Sequence, residues 1–235
     1  MEHADIPLRT RIIWAIEIAQ GLAHLHTNKV VWADAHFRNI LMTDDLHVVL
    51  CDFASSVINP DILWWCSSSP PRVFTCPMGY YGCPSTYLDI FGFGVMLFAL
   101  LSNRFPHCQN LHPHAEEQDA SHLKHCDKIY DKLPDPLDRY FGHIVADGFN
   151  VRFPSAVDLV EPLERAYRCW IDDQPKVCVF SLIACERLSV HLGLRSSQSH
   201  LSSRYRAHID RIIVDVNFLI ARVQCNSTEP YHTDR

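Results

Sequence analysis

From Tyr87 to Leu101 the chain is apolar almost all round, with Asp89 as its one charged residue and Gly92 and Gly94 allowing close approach of neighbours. A helix without a polar face is stable only where other elements cover every side of it. The stretch therefore predicts a helix through the centre of a core, the most buried element in the chain. Its longest purely apolar part, Ile90 to Leu101, is about half the roughly 20 residues that span a bilayer, so protein and not lipid is read as its surroundings. The rest of the chain supplies material for such a core: 235 residues, 48% of them hydrophobic and 20% charged, suffice for one large domain or two small ones.

Charge and cysteines narrow the function classes. Lys and Arg number 21 against 27 Asp and Glu, a net charge of -6, which argues against a general attraction to nucleic acid or to an anionic membrane surface. The ten cysteines are scattered, without the paired spacing of a zinc site or the density of a small stapled secreted domain. They read as reduced thiols. The start, Met1-Glu2-His3-Ala4-Asp5, is acidic and polar and not a secretory signal. The expectation is a soluble protein of the cytoplasm or nucleus.

Around the central helix the pattern is mainly α-helical. From Pro7 to His26 the residues Leu8, Ile12, Ile13, Ile16, Ala19, Leu22, Ala23 and Leu25 recur at three- and four-residue steps, an amphipathic helix. Val30 to Trp32, Ile40 to Met42 and His47 to Cys51 are short and rich in β-branched residues, and Thr43-Asp44-Asp45 between the last two signals a hairpin turn. Ser55 to Pro84 carries Asn59-Pro60, Pro70-Pro71 and Cys76-Pro77 and reads as a long loop. A short helix is predicted near Ser121 to Lys132, further ones over Ala156 to Trp170 and Pro175 to Val190, a Ser/Arg-rich linker over Leu194 to Ser203, and a last helix around Tyr205 to Val223.

The residues that bear chemistry are Asp34-Ala35-His36-Phe37-Arg38-Asn39, just after the first strand, and Asp52-Phe53-Ala54 at the end of the hairpin. Phosphoryl transfer to a hydroxyl needs a carboxylate near the attacking oxygen, and an Asn and an Asp to hold Mg²⁺ against nucleotide phosphates. Asp34, Asn39 and Asp52 supply that set. Taken singly, each reads equally as a residue of an exposed turn or a strand end.

With these residues in this order, the chain resembles the protein kinase family, specifically its C-terminal lobe, over about residues 7 to 190. Gly21 to His26 followed by Val30 to Asn39 is similar to the family's long helix and HRDLKxxN catalytic loop, and Asp52-Phe53-Ala54 to its DFG motif. Asp89-Ile90-Phe91-Gly92-Phe93-Gly94 resembles the DxWSxG of the central helix, and Cys169-Trp170 a CW element late in the lobe. The resemblance implies a catalytic loop at 30–39, an activation segment at 55–84, a central helix at 86–102 and a His-rich insertion at 107–126. It leaves 191–235 as linker and terminal helix. It makes Asp34 the catalytic base, with His36 beside it, Asn39 and Asp52 the Mg²⁺ ligands, and Asp89 the support beneath the loop, with ATP and Mg²⁺ as cofactors.

The departures carry information too. Trp32 and Ala33 replace the His and Arg of HRD, so no arginine is there to receive an activation-loop phosphate. His36 stands where protein kinases usually have Lys. The string Asp-x-His-x-x-Asn also occurs in aminoglycoside- and choline-kinase-like enzymes, which keeps a small-molecule phosphotransferase as an alternative. Ala54 in place of Gly narrows the backbone choices there. Cys76-Pro77-Met78, with Cys83-Pro84-Ser85 as a competing choice, falls where the family has APE, and Val177 falls where it has the arginine paired with that Glu. Losing one partner of a buried ion pair costs about 3–5 kcal/mol, whereas replacing both by apolar residues can be neutral.

Only 33 residues precede Asp34, no G-x-G-x-x-G occurs, and Lys29 is the sole lysine before the loop. Five strands and a helix need on the order of 60 residues, so the reading is a C-terminal lobe without the N-terminal one. Removing one transition-state donor costs roughly 10²–10³ in rate, so a typical kinase would fall to about 10⁻² s⁻¹ or lower. Little or no activity is expected of this chain alone. A non-catalytic pseudokinase binding a protein through 107–126 or 191–235 is the competing class. Cys108, His112, His114, His122, His125 and Cys126 fit no familiar zinc spacing, so the insertion is read as a solvated loop without a structural metal.

Overall fold

The computed structural model describes residues 6–59, 70–77, 85–109 and 111–174. These belong to one compact unit, Ile6–Gln174. The sequence readings at Met78, Cys83-Pro84, Val177 and over 175–235 lie outside the described residues.

Among the described residues, five α-helices and two small ribbons make up the unit. Helix α1, Leu8–Thr27, buries Ile12, Ala15, Ile18, Ala19 and Leu22 on one face and ends where Lys29 turns left-handed at φ 58°. Strand β1, Val30–Val31, pairs antiparallel with β4, Val57–Ile58, while β2, Ile40–Met42, pairs with β3, Val48–Leu50, in the register Ile40 to Leu50. The β2–β3 turn closes through Thr43 N–H to the His47 carbonyl at 2.8 Å and Leu46 N–H to the Thr43 carbonyl at 2.9 Å. It is the hairpin that Thr43-Asp44-Asp45 signals.

Helix α2, Thr86–Ser102, is the centre of the core: every residue from Asp89 to Ala99 is buried. Full burial is worth about 1.5–3 kcal/mol for each large apolar side chain, and Phe91, Phe93, Met96, Leu97 and Phe98 are all at most 1% exposed. Hydrophobic cover therefore holds a helix that has no polar face of its own. Helix α4, Leu137–Phe149, and α5, Ala156–Asp172, complete the cover: α4 lies against α2, and α5 against α1. The crossing of α2 and α4 is glycine on glycine. A Cβ on Gly94 would stand 3.1 Å from the Gly148 carbonyl carbon, and one on Gly148 would stand 3.0 Å from the Gly94 Cα. Among the described residues, no helix is long and apolar enough to cross a membrane.

Two sequence expectations are corrected here. The His-rich insertion is not a solvated loop: residues 115–126 form helix α3, Ala115–Cys126, with Ser121, His122 and His125 buried, and Cys108 buried ahead of it. Its position, six residues earlier than predicted, follows from its ends. Glu116 and Glu117 occupy the first turn, where a helix favours acids, and the Glu117 carboxylate accepts the His114 N–H at 3.2 Å. The long loop 55–84 also holds regular structure, because β4 pairs with the free edge of β1, and Arg72–Phe74 forms one 3-10 turn. Helix α4 has no clear signal in the sequence pattern. Its buried face of Leu137, Phe141, Ile144, Val145 and Phe149 is interrupted by Gly142 and Gly148.

Candidate active site

The site is built upward from Asp89. Its carboxylate is fully buried in the first turn of α2 and accepts three hydrogen bonds. Oδ2 takes the Trp32 N–H at 2.8 Å and the His26 ring at 3.0 Å, and Oδ1 takes the Ala33 N–H at 2.8 Å. A buried carboxylate is tolerable only with such partners. The other His26 nitrogen, Nδ1, accepts the Ala156 N–H at 3.0 Å, so Nε2 must carry the ring proton and donate it to Asp89. One carboxylate thus ties the end of α1, the start of α5 and the start of the loop after β1 to the central helix.

Those bonds hold Ala33 at φ 67°, a left-handed conformation that costs a residue with a Cβ of order 1–3 kcal/mol. The loop then passes close over α2. A Cβ on Gly92 would stand 2.4 Å from the Ala35 carbonyl oxygen, so glycine is required for the loop to lie there.

Within the loop, Asp34 and Asn39 are joined. The Asn39 Nδ2 donates to Asp34 Oδ2 at 2.9 Å and to the Asp34 carbonyl at 3.0 Å. His36 Nε2 lies 3.3 Å from Asp34 Oδ1, and Asp34 Oδ1 and His36 Nδ1 are buried atoms for which the structure shows no hydrogen-bond partner. Burial holds the His36 pKa below the usual 6.5 despite the Asp34 charge, which pulls it up.

Asp52 enters from the hairpin. The Cys51 N–H bonds the Asn39 carbonyl at 2.9 Å, one step beyond the Ile40–Leu50 pair, which sets Cys51 opposite Asn39 and Asp52 one residue further on, at the mouth of the ribbon. The Trp32 indole N–H reaches both the Cys51 carbonyl at 3.0 Å and the Asp52 carbonyl at 3.1 Å. The left-handed residue of this turn is Asp52, φ 55°, and not Ala54, whose N–H instead bonds Asp52 Oδ1 at 3.3 Å. A run of contacts thus joins Asp34, Asn39 and Asp52 into one neighbourhood. The Asp52 side chain and Phe53 are exposed. The Asn39 amide nitrogen is committed to Asp34.

Sequence reasoning missed two participants. Trp32 registers there only as a lost histidine, yet it is fully buried and fastens the hairpin end to the loop. His26 appears only as the last letter of a helix motif. Its signal is a histidine at a helix end one strand ahead of the loop. Among the described residues, no three His, Cys, Asp or Glu side chains come together as a metal site.

The protein kinase domain family matches residues 2–163, more than half of the chain. The chain belongs to the protein kinase family. Its curated relatives include the probable serine/threonine-protein kinase PBL4 of Arabidopsis thaliana, 35% identical over 109 residues, or 42% of this chain and 25% of that protein. The receptor-like serine/threonine-protein kinase NCRK of the same plant is 29% identical over 141 residues, 54% of this chain and 25% of that one. The serine/threonine-protein kinase TNNI3K of Mus musculus is 27% identical over 145 residues, 56% and 16% respectively. The chain thus spans a quarter or less of the length of these relatives. Cys76, one of the two places where the sequence offers a counterpart of APE, is buried at 3% exposure.

Proposed function

We propose that this chain supplies the acceptor-side half of a protein kinase site: Mg²⁺- and ATP-dependent phosphoryl transfer to a protein hydroxyl. Asp34 would be the base, Asn39 and Asp52 would hold Mg²⁺, His36 would line the loop and Asp89 would keep it in place. The observation that carries this reading is the Asp34–Asn39 pair, which leaves Asp34 Oδ1 as a buried acceptor without a donor. An acceptor of that kind suits the proton of an incoming alcohol, and a base must lie within hydrogen-bond reach of the proton it takes. When bound, Mg²⁺ would neutralise charge on the transferring phosphate. The relatives' names support a serine or threonine as the acceptor. The scattered cysteines, without the density of a stapled secreted domain, support a cytoplasmic or nuclear setting.

These 235 residues contain no G-x-G-x-x-G, so nucleotide grip from the chain alone is weak. The expected result is no Mg²⁺·ATP-dependent rise in the melting temperature of purified 1–235. A clear rise that Asp52→Asn abolishes would refute that weak grip while upholding the metal assignment. The second reading, a non-catalytic kinase lobe that binds a protein, draws on Trp32 and Ala33 in place of His and Arg. It requires Asp34→Asn to leave any phosphoryl transfer unchanged.

A further inference from the structure

A second cluster of titratable side chains, His107, His122 and His125, takes no part in the site above. His125 on α3 is only 1% exposed, and neither of its ring nitrogens has a hydrogen-bond partner. Its walls are aromatic: Phe91 of α2 stands edge-on at 5.3 Å, Phe149 at the end of α4 at 5.0 Å, His107 at 5.8 Å and Tyr130 at 6.2 Å between ring centroids. A neutral imidazole already leaves a donor and an acceptor unmet there. A protonated one would bring two N–H groups and a charge into the same dry seat, at a much higher cost.

The charged neighbours do little to help it. His107 and His122 would repel a cation when protonated, and Asp131 is the one acid acting on His125. That carboxylate is already held by the Arg104 guanidinium and by the His107 N–H at 2.9 Å. Arg104 and Lys124 push the His107 pKa down further, and Arg72 does the same to His122 against the opposing Asp119. Phe91 and Phe149, from α2 and α4, bring no charge, and Tyr130 has its own pKa raised by burial.

Helix α3 is also what steadies the segment beside the catalytic loop. His122 Nδ1–H donates to the Thr75 carbonyl at 3.1 Å, and Arg72 pairs with Asp119 at 3.2 Å. Ser121 Oγ donates to the Pro106 carbonyl at 2.7 Å. Phe74, next to Thr75, has its ring 6.0 Å from those of His36 and Phe37.

We propose that α3 is an acid-released latch: protonation of His125 unseats the helix from α2 and α4 and frees residues 72–76 from beside the catalytic loop. Burial supports the sign, since it holds His125 down to a pKa of about 3 in the seated state. A group whose folded pKa lies below its free value of 6.5 leaves stability intact above that value and removes it as pH falls toward 3. His125 alone then raises the opening constant about thirtyfold between pH 7.5 and 5. His107 and His122, also held down by burial, act in the same direction.

The test is amide hydrogen exchange of the full chain at pH 7.5 and 5.0, corrected for intrinsic exchange, comparing 115–126 and 72–76 with 12–22 in α1. The expected result is an opening constant for α3 and 72–76 that rises at least about thirtyfold while α1 keeps its protection. His125→Phe, or His125→Leu if the larger ring does not fit, should remove about that factor. A rise below threefold in the wild type, an equal rise in a folded variant, or α1 opening in step with α3 would each overturn the latch. If neither variant folds, the His125 ring resonance decides: silence down to pH 5 in the seated state upholds the proposal, and titration near 6.5 there refutes it.

Discussion

Asp89 and His125 are two buried polar side chains on opposite terms with the same central helix. Asp89 belongs to α2 and meets three donors, one from each of Trp32, Ala33 and His26. His125 leans on Phe91 of α2 and meets none. A charged carboxylate can be buried only among donors, and Asp89 has them. A histidine escapes the same demand by staying neutral. The first arrangement ties the start of the loop after β1 to α2 by hydrogen bonds. The second makes the seating of α3 depend on pH.

The largest expected difference separates the two directly. Asp89→Ala strands three buried donors and should cost about 3–5 kcal/mol in urea unfolding at pH 7.5. At that pH His125→Leu removes two unmet groups from an apolar seat, and should change stability by less than about 1 kcal/mol. Equal costs would break the comparison. Next comes the loop's close pass over α2. Gly92→Ala sets a Cβ against the Ala35 backbone and should cost about 1–3 kcal/mol or more. Gly21→Ala meets only the movable Leu50 side chain at 3.1 Å and should be near neutral, since helical Ala recovers about 0.5–1 kcal/mol. A Gly92→Ala variant as stable as the wild type would mean that the loop does not lie where the Asp89 bonds place it.

The smallest effect has the opposite pH sign to His125. Glu17 receives His47 Nδ1–H with one oxygen and the Val48 N–H at 2.9 Å with the other, and bonding to Glu17 raises the His47 pKa. A group with a raised folded pKa contributes below its free value of 6.5 and loses that contribution as pH climbs through the folded value. The urea midpoint should therefore lose this increment as pH rises past 6.5, and Glu17→Gln should remove the dependence. An unchanged pH profile in that variant would remove His47 from the account.

Much of this was legible before any coordinates, and for identifiable reasons. The all-apolar stretch 87–101 forces a buried helix, and a single Asp inside it must have a purpose. The Asp34, Asn39 and Asp52 pattern is local chemistry with short spacings. What stayed hidden depends on distant partners. Helix α3 draws its buried face from Ser121, His122 and His125, residues a hydrophobicity pattern counts as polar. The crossing of α2 and α4 rests on Gly94 meeting Gly148, which in sequence looks like a weakened α4. Trp32 reads as a loss until its indole is seen bridging to Cys51 and Asp52.

The central claim is that the Asp34 carboxylate, held by Asn39 beside Asp52, serves as a base for phosphoryl transfer. Its most direct test joins residues 1–235 to the nucleotide-binding lobe of a matched serine/threonine kinase and measures Mg²⁺-dependent transfer to protein. In a folded, ATP-binding chimaera the account predicts transfer that Asp34→Asn lowers by about 10²–10⁴-fold. Transfer that Asp34→Asn leaves unchanged, or none at all from such a chimaera, would contradict it.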